Sequence, residues 1–243
     1  MSESKDDSLK AILAEKSWFG FDLDDTLHEF RRASTAATSK TLEVVSQRHQ
    51  TPWVSLKEEY TKILHEKTAG AFSEGKTSFE YRRERFASLL ERFSLPQDDA
   101  FLDELLEVYE TTLNQSLQLK EGAAITLETL KGMGKKIAVI TEGPQDAQER
   151  TVRNLGVADH IDFLATTNYF GLPKTEGLFP KVLSHLGITA ADMVYVGDSE
   201  LRDMEPAMAG GIFCIHLNEA AQASWASHPP RIKSLRNLEQ VLA

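Results

Sequence analysis

The chain has 243 residues, 41% of them hydrophobic and 26% charged, which is ordinary for a globular enzyme with one large domain or two smaller ones. A net charge of −10, without a long lysine or arginine run, disfavours nucleic acid polymers and anionic membrane surfaces as partners. No apolar stretch approaches the roughly 20 residues that span a bilayer, and the polar N-terminus is unlike a signal or transit peptide.

The predicted elements begin with a flexible N-terminus and a short helix over residues 1–16. The apolar and aromatic stretch WFGFDL follows, and its composition is typical of a strand covered on both faces. Three carboxylates, Asp22, Asp24 and Asp25, crowd into four positions at its end. Because two carboxylates about 4 Å apart repel by roughly 4 kcal/mol at an effective dielectric near 20, the cluster predicts a nearby cation or a retained proton. A helix N-cap or an Asp-rich turn is the purely structural alternative.

Residues 28–119 contain no β-rich run, and their apolar residues recur at spacings of three and four. This spacing predicts about four helices, inserted after the first strand of an α/β core. Ser55, with Glu58 three residues later, predicts the start of one of them.

From residue 120 onward, short apolar runs alternate with helix-like segments. Such alternation predicts a Rossmann-like parallel sheet with right-handed crossovers, built from residues 17–27 and 120–243. The single cysteine, Cys214, lies in one apolar run and is expected to be a buried bystander, which fits a reducing compartment, most simply the cytosol. The predicted strands are residues 135–141, 161–167, 193–197 and 212–217, and the predicted helices are residues 144–155 and 179–187.

Polar groups stand at the ends of these predicted strands and in one loop. Each has a plain alternative, an N-cap or a solvated lysine. Because the carboxyl ends of parallel strands share one edge of a sheet, the whole set together with the acidic cluster predicts a metal and catalytic site. The groups are Thr141 with Glu142 and Gly143, Lys174 after the turn-like FGLP, and Asp198 with Asp203 in GDSELRD.

With these residues the chain resembles the haloacid dehalogenase superfamily, in its phosphatase branch with a helical C1 cap. FDLDDTL is similar to that family's first motif, Asp-x-Asp-x-Thr-Leu, and VIT, which ends at Thr141, is similar to the second. Lys174 matches the third motif and GDSELRD the fourth, so the resemblance covers residues 17 to about 217, with 28–119 in the place of the cap. Two loops depart from the pattern: Thr-Glu-Gly replaces the usual Thr-Asn-Gly, and Lys174 precedes a threonine instead of a proline.

The resemblance implies a Mg²⁺-dependent phosphatase that hydrolyses a small phosphate monoester through an aspartyl-phosphate intermediate. Asp22 would be the nucleophile, and Asp24 would be the general acid and then the general base. Mg²⁺ would be held by the Asp22 carboxylate, the Asp24 carbonyl and Asp198. The remaining expected groups are Thr141, Glu142, Gly143 and Lys174 at the phosphoryl group, and Thr26 and Asp203 behind them.

Other activities stay open at this point. The same motifs suit a phosphomutase or phosphotransferase, and 2-haloacid dehalogenation belongs to the same superfamily. Carbon–halogen cleavage needs neither an acid for an alkoxide nor Mg²⁺, so Asp24 and Asp198 disfavour it. A signalling receiver domain lacks the large insert, and a catalytically idle scaffold has no reason to keep every group. The expected partner is a small phosphorylated metabolite, and the expected state is a monomer or homodimer.

Substrate specificity is expected to depend on the cap segment SFEYRRERF. On a helical wheel, Arg82 and Arg83 flank an apolar stripe and Arg85 turns further away. An arginine beside such a stripe usually packs along it or pairs with a glutamate, and contact with the substrate is the alternative, for which Arg82 is slightly favoured over Arg83. Arginines in this setting resemble those of nucleotidase and sugar-phosphatase relatives. His28, where the chain leaves for the cap, is expected at a hinge or in the pocket wall. The stripe consists of Phe79, Phe86, Leu90 and Phe93.

Overall fold

The core of the molecule is a parallel sheet. The computed structural model describes residues 3–68 and 72–242, and six strands of this part form one sheet. They are β1 (Trp18–Phe21), β2 (Lys136–Thr141), β3 (Phe163–Thr166), β4 (Met193–Gly197), β5 (Phe213–Leu217) and β6 (Arg231–Ile232). Their order is β3-β2-β1-β4-β5-β6, and every neighbouring pair is parallel. The expected α/β fold with a Rossmann-like core is confirmed, although β6, only two residues long, left no pattern in the sequence.

The sheet is buried on both faces, as the continuous apolar runs predicted. Side chains that alternate along each strand enter two separate apolar layers. Phe19 and Phe21 of β1 belong to one layer, and Tyr195 and Cys214 belong to the other. Burial raises the pKa of the Cys214 thiol to about 12, so this cysteine is an unreactive packing residue.

Helices cover the sheet and form the insert. The third helix of the chain begins at Trp53, ahead of the predicted start at Ser55. Proline has a fixed φ that suits the entry to a helix, and the Pro52 carbonyl accepts the N–H of Leu56 at 3.2 Å. Residues 1 and 2, part of the terminus predicted to be flexible, lie outside the described range. The helices are α1 (Glu3–Glu15), α2 (Phe30–His49), α3 (Trp53–Thr68), α4 (Ser78–Arg92), α5 (Asp99–Ser116), α6 (Ala123–Gly132), α7 (Gln145–Asn154), α8 (Thr167–Phe170), α9 (Leu178–Leu186), α10 (Glu205–Ala209) and α11 (Leu235–Leu242).

Helices α2 to α5 pack around an apolar cluster of their own, distinct from the two layers of the sheet. We call this unit the cap. Aromatic rings join its helices, since Phe86 of α4 stacks on Tyr60 of α3 and meets Tyr109 of α5 edge-on. The buried aliphatic residues of this cluster include Leu42, Val45, Leu56, Ile63, Leu89, Leu90, Leu102 and Leu105.

The two chain segments that connect the cap to the sheet lie side by side. The Glu29 N–H donates to the Gln118 carbonyl at 2.9 Å, and the Lys120 N–H donates to the Leu27 carbonyl at 2.9 Å. His28 and Leu119 form a β-bridge between them. This paired connection fixes where the cap meets the end of β1. Over the described ranges, none of the helices has the length and apolar character that a membrane crossing requires.

Candidate active site

Acidic side chains converge at the carboxyl edge of the sheet. Asp22 directly follows β1, and its N–H donates to the Val196 carbonyl of β4 at 2.9 Å, which holds it at the sheet edge. Asp198 follows the end of β4, and Asp203 comes from the next turn. One carboxylate oxygen from each of these three aspartates lies within 4.8 Å of the others. Three carboxylates at this distance require compensating positive charge or a retained proton.

Lys174 supplies the first compensating charge. It follows Pro173 and is only 3% exposed. Its Nζ lies 2.5 Å from Asp22 Oδ1 and 2.6 Å from Asp203 Oδ1. Burial opposes the charged form, but the two carboxylates outweigh it and raise the pKa of Lys174. The ammonium group therefore stays charged and ties the end of β1 to the turn that carries Asp203.

Asp203 is held by protein donors on both of its oxygens. Oδ1 receives Lys174 and lies 2.9 Å from the Tyr195 hydroxyl, and Oδ2 accepts the Ser199 N–H at 3.0 Å. This close approach depends on Gly197, because a Cβ there would lie 2.5 Å from Asp203 Cγ. With its lone pairs engaged in this way, Asp203 is placed to orient Lys174.

Asp22 retains one oxygen with little competition. Lys174 occupies Oδ1, whereas Oδ2 has only a long contact of 3.4 Å from the Thr26 hydroxyl. Burial raises the pKa of Asp22 well above its usual range, Lys174 opposes this, and the negative charges of Asp203 and Asp24 add to it. Lys174 therefore offsets the negative charge of the cluster only in part.

Asp24 lies on the turn after Asp22 and is oriented by two side chains. Its Oδ1 is 2.9 Å from Nε2 of His28, and its Oδ2 is 3.5 Å from Nε2 of Gln148. The turn is closed by Asp25, whose φ of 62° is uncommon for a residue other than glycine and whose N–H donates to the His28 carbonyl. His28 is fully buried at the connection to the cap, and it contacts the carboxylate expected to carry the proton.

The end of β2 offers one unsatisfied donor. The Thr141 hydroxyl is buried and has no hydrogen-bond partner in the described part of the chain. The Gly143 N–H, expected at the phosphoryl group, instead donates to Thr167 Oγ1 at 3.1 Å. Glu142, which departs from the family pattern, has a structural task, since its Oε1 accepts the N–H of Lys174 at 3.1 Å. Thr141 is thus the better-supported phosphoryl donor of this loop.

Asp198 completes the oxygen-rich face. Its Oδ2 lies 3.3 Å from Arg31 Nη2, and its carbonyl oxygen lies 3.0 Å from His216 Nε2. Burial raises the pKa of Asp198, with a further contribution from Asp203 and opposition from Arg31. Because Arg31 is 72% exposed, it screens the site weakly. The site has more carboxylates than buried cations, and the carboxylates offer oxygen atoms as ligands. This arrangement fits Mg²⁺ held by Asp22 and Asp198.

A cavity of about 460 Å³ joins this edge of the sheet to the cap. That volume suits a small to medium-sized ligand. The lining is mixed, with carboxylates and a lysine at the sheet end and aromatic, hydroxyl and arginine side chains at the cap end. Its walls include Asp22, Asp24, Thr141, Lys174 and Asp198 from the core, and Thr38, Tyr60, Arg82, Arg85 and Tyr109 from the cap.

The arginines of α4 do not face the way the helical wheel predicted. The wheel counted Phe79 as part of the buried stripe, but Phe79 is 39% exposed. The wheel also left out Tyr81 and Leu89, which are buried and move the centre of the buried face towards Arg85. Arg85 is 8% exposed, about as buried as Arg82 at 6%. The expectation that Arg85 turns away was therefore wrong.

Arg82 and Arg83 are both neutralised by neighbours within the cap. Arg83 points to the surface, where Asp99 and Asp103 each lie 2.5 Å from its guanidinium nitrogens. Arg82 lines the cavity but forms an ion pair with Glu110 and lies over the Tyr109 ring at 4.7 Å. Of these two predicted substrate contacts, the structure places only Arg82 at the cavity, and there it serves cap packing.

Sequence reasoning missed several residues that shape the site. Tyr195 carried a signal, a phenol in an otherwise apolar strand three residues before Asp198. The others carried none, because in a sequence arginines and a glutamine are typical of ordinary surface positions, and only the fold shows that they lie at the cavity. The missed residues are Arg31, Arg85, Gln148, Tyr195 and Arg202.

Comparison with known proteins agrees with this arrangement. Residues 20–217 match the family model of haloacid dehalogenase-like hydrolases. A glyceraldehyde 3-phosphate phosphatase of Methanocaldococcus jannaschii is 37% identical over 93 residues, which are 38% of this chain and 41% of that protein. The chain therefore spans less than half the length of this relative.

Two further similarities extend over nearly the whole chain. Haloacid dehalogenase-like hydrolase domain-containing protein 3 of Mus musculus is 24% identical over 91% of this chain and 90% of its own. The crystal structure of a 2-haloacid dehalogenase from Pseudomonas syringae pv. Tomato DC3000 superposes with a TM-score of 0.71 at 28% identity, covering 93% of this chain and 98% of that one. Each of these two similarities covers more than nine-tenths of this chain.

Proposed function

This chain belongs to the haloacid dehalogenase-like hydrolases, and we propose that it is a Mg²⁺-dependent phosphatase that hydrolyses a small phosphate monoester through an aspartyl-phosphate intermediate. The observation that carries the proposal is the pairing of Lys174 Nζ with Asp22 Oδ1 at 2.5 Å, beside a second aspartate, Asp24, on the next turn. One carboxylate is thus fixed next to a cation as a nucleophile, and the other is positioned at the cavity for proton transfer.

In the first step, Asp22 Oδ2 attacks the phosphorus. A bond forms between this oxygen and phosphorus, the ester P–O bond breaks, and Asp24 gives its proton to the leaving oxygen. Lys174 and the unpartnered Thr141 hydroxyl stabilise the charge of the transferring phosphoryl group. His28 and Gln148 keep the Asp24 carboxyl directed at the cavity.

In the second step, a water molecule takes the place of the departed alcohol. Asp24, now deprotonated, accepts a proton from the water. The water oxygen attacks phosphorus, and the bond between phosphorus and Asp22 breaks. Inorganic phosphate is released and both aspartates return to their starting states. Division into two displacements suits phosphate monoesters, whose uncatalysed hydrolysis is among the slowest reactions known.

Asp22 and Asp198, with the Asp24 carbonyl, would hold the Mg²⁺ ion. When bound, Mg²⁺ neutralises negative charge on both the carboxylates and the phosphoryl oxygens. The raised pKa values of Asp22 and Asp198, for which burial is the largest cause, support the need for a further cation at this place.

A dehalogenase is the second candidate, since a 28% identical structural neighbour bears that name. Cleavage of a carbon–halogen bond releases a halide, which needs no proton from Asp24 and no divalent cation at Asp198. The phosphatase reaction uses both groups, and the name of the Methanocaldococcus jannaschii relative favours it. A phosphomutase or phosphotransferase would share the first step and differ only in the acceptor.

Hydrolysis of p-nitrophenyl phosphate, followed with Mg²⁺ and with excess EDTA, tests the proposal. We expect turnover with Mg²⁺, none in EDTA, and none above a contamination control in Asp22→Asn, which removes the nucleophile and keeps the side-chain volume. Chloride release from 2-chloropropionate should be absent. Metal-independent turnover, an active Asp22→Asn variant or halide release would each contradict the proposed function. A cytosolic location and a monomeric or homodimeric state remain predictions.

A further inference from the structure

Arg85 is a buried charge without a counter-ion among the described residues. It is 8% exposed, and its Nε is buried with no hydrogen-bond acceptor in the part of the chain that the structure describes. Within residues 3–68 and 72–242, no carboxylate forms an ion pair with its guanidinium group. Burying a charge in this way is unfavourable unless something compensates it. The side chain lines the cavity that also contains Asp22 and Lys174.

The other arginines of α4 show how this chain ordinarily treats such side chains. Arg83 and Arg92 each contact two carboxylates, and Arg82 contacts Glu110. All three are satisfied by acidic residues of the cap itself. Arg85 differs from them because no described carboxylate pairs with it, although it lies on the same helix and is about as buried as Arg82.

The described cap residues that share the cavity wall with Arg85 include no carboxylate. Burial raises the pKa of Tyr60 to about 12, against the opposing charge of Arg85, so this phenol stays uncharged. Other cap side chains that line the same cavity are hydroxyl and apolar groups, such as Thr38, Leu42 and Thr61, and the cations Arg31, Lys57 and Arg82. A guanidinium group presents planar, paired donors that match a carboxylate or a phosphate. Its missing partner is therefore an anion that enters through the cavity.

We infer that the substrate is a phosphate monoester that carries a second anionic group, a carboxylate or another phosphate, and that Arg85 binds this group while the ester phosphate lies at Asp22. The inference rests on the proposed function and adds the substrate class to it. The cap end of the cavity would then select substrates by charge, and the core end would carry out the same chemistry on every ester.

Matched substrate pairs test the inference. 3-Phosphoglycerate and glycerol 3-phosphate have the same three-carbon skeleton and differ in a carboxylate against a neutral hydroxymethyl group. Fructose 1,6-bisphosphate and fructose 1-phosphate provide the corresponding comparison for a second phosphate. We expect the wild-type kcat/KM to favour the doubly anionic member of at least one pair by about tenfold or more, and the pair that shows it identifies the anion.

Two variants separate binding from packing. Arg85→Met keeps an unbranched side chain and removes the charge, and Arg92→Gln removes a charge of the same helix outside the cavity. We expect Arg85→Met to reduce the preference within the pair by about 10- to 100-fold, chiefly through KM, and Arg92→Gln to keep the wild-type preference. Arg85→Met should also unfold at the same or a higher temperature, because an uncompensated buried charge is removed.

Several results would overturn the inference. One is a wild-type enzyme whose kcat/KM shows no preference in either pair. Another is an Arg85→Met variant that loses kcat/KM equally on both members of a pair and unfolds at a lower temperature. If the wild type hydrolyses no phosphate ester at all, the proposed function fails by itself. Calorimetric binding of 3-phosphoglycerate and fructose 1,6-bisphosphate then decides the inference, since binding that Arg85→Met weakens supports it and binding that is absent or unchanged refutes it.

Discussion

His28 Nε2 lies 2.9 Å from Asp24 Oδ1, and the imidazole is fully buried at the point where the chain leaves the sheet for the cap. The same residue forms a bridge with Leu119, where the chain returns. The orientation of the proposed proton donor is thus tied to the connection between cap and core. A hydrogen bond to a carboxyl group typically contributes about 1.5–3 kcal/mol when one partner is charged.

Replacement of His28 by Leu should therefore impair proton transfer more than nucleophilic attack. We expect kcat for an alkyl phosphate to fall at least tenfold, and kcat for p-nitrophenyl phosphate, whose leaving group needs little help, to fall less. Asp24→Asn should show the same dependence on the leaving group, and more strongly. Steady-state kinetics on both esters would measure this, and equal losses on the two in either variant would mean that the pair does not serve proton transfer.

Removal of Asp198 should weaken metal binding while leaving the nucleophile in place. We expect Asp198→Ala to need at least tenfold more Mg²⁺ for half-maximal activity, with partial recovery at high Mg²⁺. Thermal unfolding gives a second reading, because Mg²⁺ at ten times its dissociation constant stabilises the wild type by about 1.4 kcal/mol. Glu205→Ala, at an exposed acidic residue nearby, is the control. An unchanged Mg²⁺ requirement in Asp198→Ala would contradict the proposed ligand.

The sheet and the edge that carries the site were predictable because their signals are local. A buried parallel strand needs a run of apolar residues, and the groups at its end follow within a few positions, as Asp22 and Asp198 do. Lys174 was found by its place in the motif order, and it forms contacts with residues 152 positions before it and 29 positions after it.

The cap end of the cavity was not predictable in the same way. Which face of α4 is buried depends on how four helices pack, and the predicted stripe excluded Arg85 because it included the exposed Phe79 and left out the buried Tyr81 and Leu89. The Gly143 N–H was expected at the phosphoryl group. It donates instead to Thr167, at the end of the neighbouring strand, and the sequence does not reveal this contact. Such contacts depend on side chains far apart in sequence, so no local spacing contains them.

The stability of the sheet should depend on pH through Asp162, at the start of β3. Burial alone would raise the pKa of this carboxyl, but Lys131, Lys136 and the Ile137 N–H, all within 2.9 Å, lower it to about 2. A depressed pKa means that the stabilisation is complete above the unfolded value of about 3.9 and is lost as the pH falls through about 2. Because the two lysines are partly exposed, we expect a contribution of only about 1 kcal/mol.

Urea unfolding of Asp162→Asn and the wild type from pH 7 to pH 2 would measure this contribution. The variant should be less stable by about 1 kcal/mol at pH 7, and the difference should shrink as the pH falls below 4. Asp159→Asn, at an exposed neighbour, is the matched control and should follow the wild type. A difference that stays constant with pH would show that the Asp162 carboxylate charge is not its source.

Asp146 joins the cap to the core beside the cavity. From the first turn of α7, its two oxygens accept the Ser78 N–H at 2.8 Å and the Ser78 hydroxyl at 2.7 Å, at the start of α4 in the cap. Arg150 reinforces the contact, since it donates to Asp146 at 2.9 Å and to Ser78 at 2.8 Å. Although burial works against it, the donors from Ser78 and Arg150 lower the pKa of Asp146, so the carboxylate is charged at neutral pH.

Asp146→Ala should loosen the cap without touching the proposed chemical groups. Loss of two charge-assisted hydrogen bonds lowers the population in which the cap covers the site, and we expect kcat/KM to fall about 10- to 100-fold on every ester, whatever its charge. Limited proteolysis should cleave the variant faster at the segments that connect the cap to the core. Glu149→Ala, at an exposed residue of the same helix, is the control and should match the wild type. This uniform loss differs from the charge-dependent loss expected for Arg85→Met. Wild-type kinetics and protease resistance in Asp146→Ala would mean that the contact contributes nothing to closure.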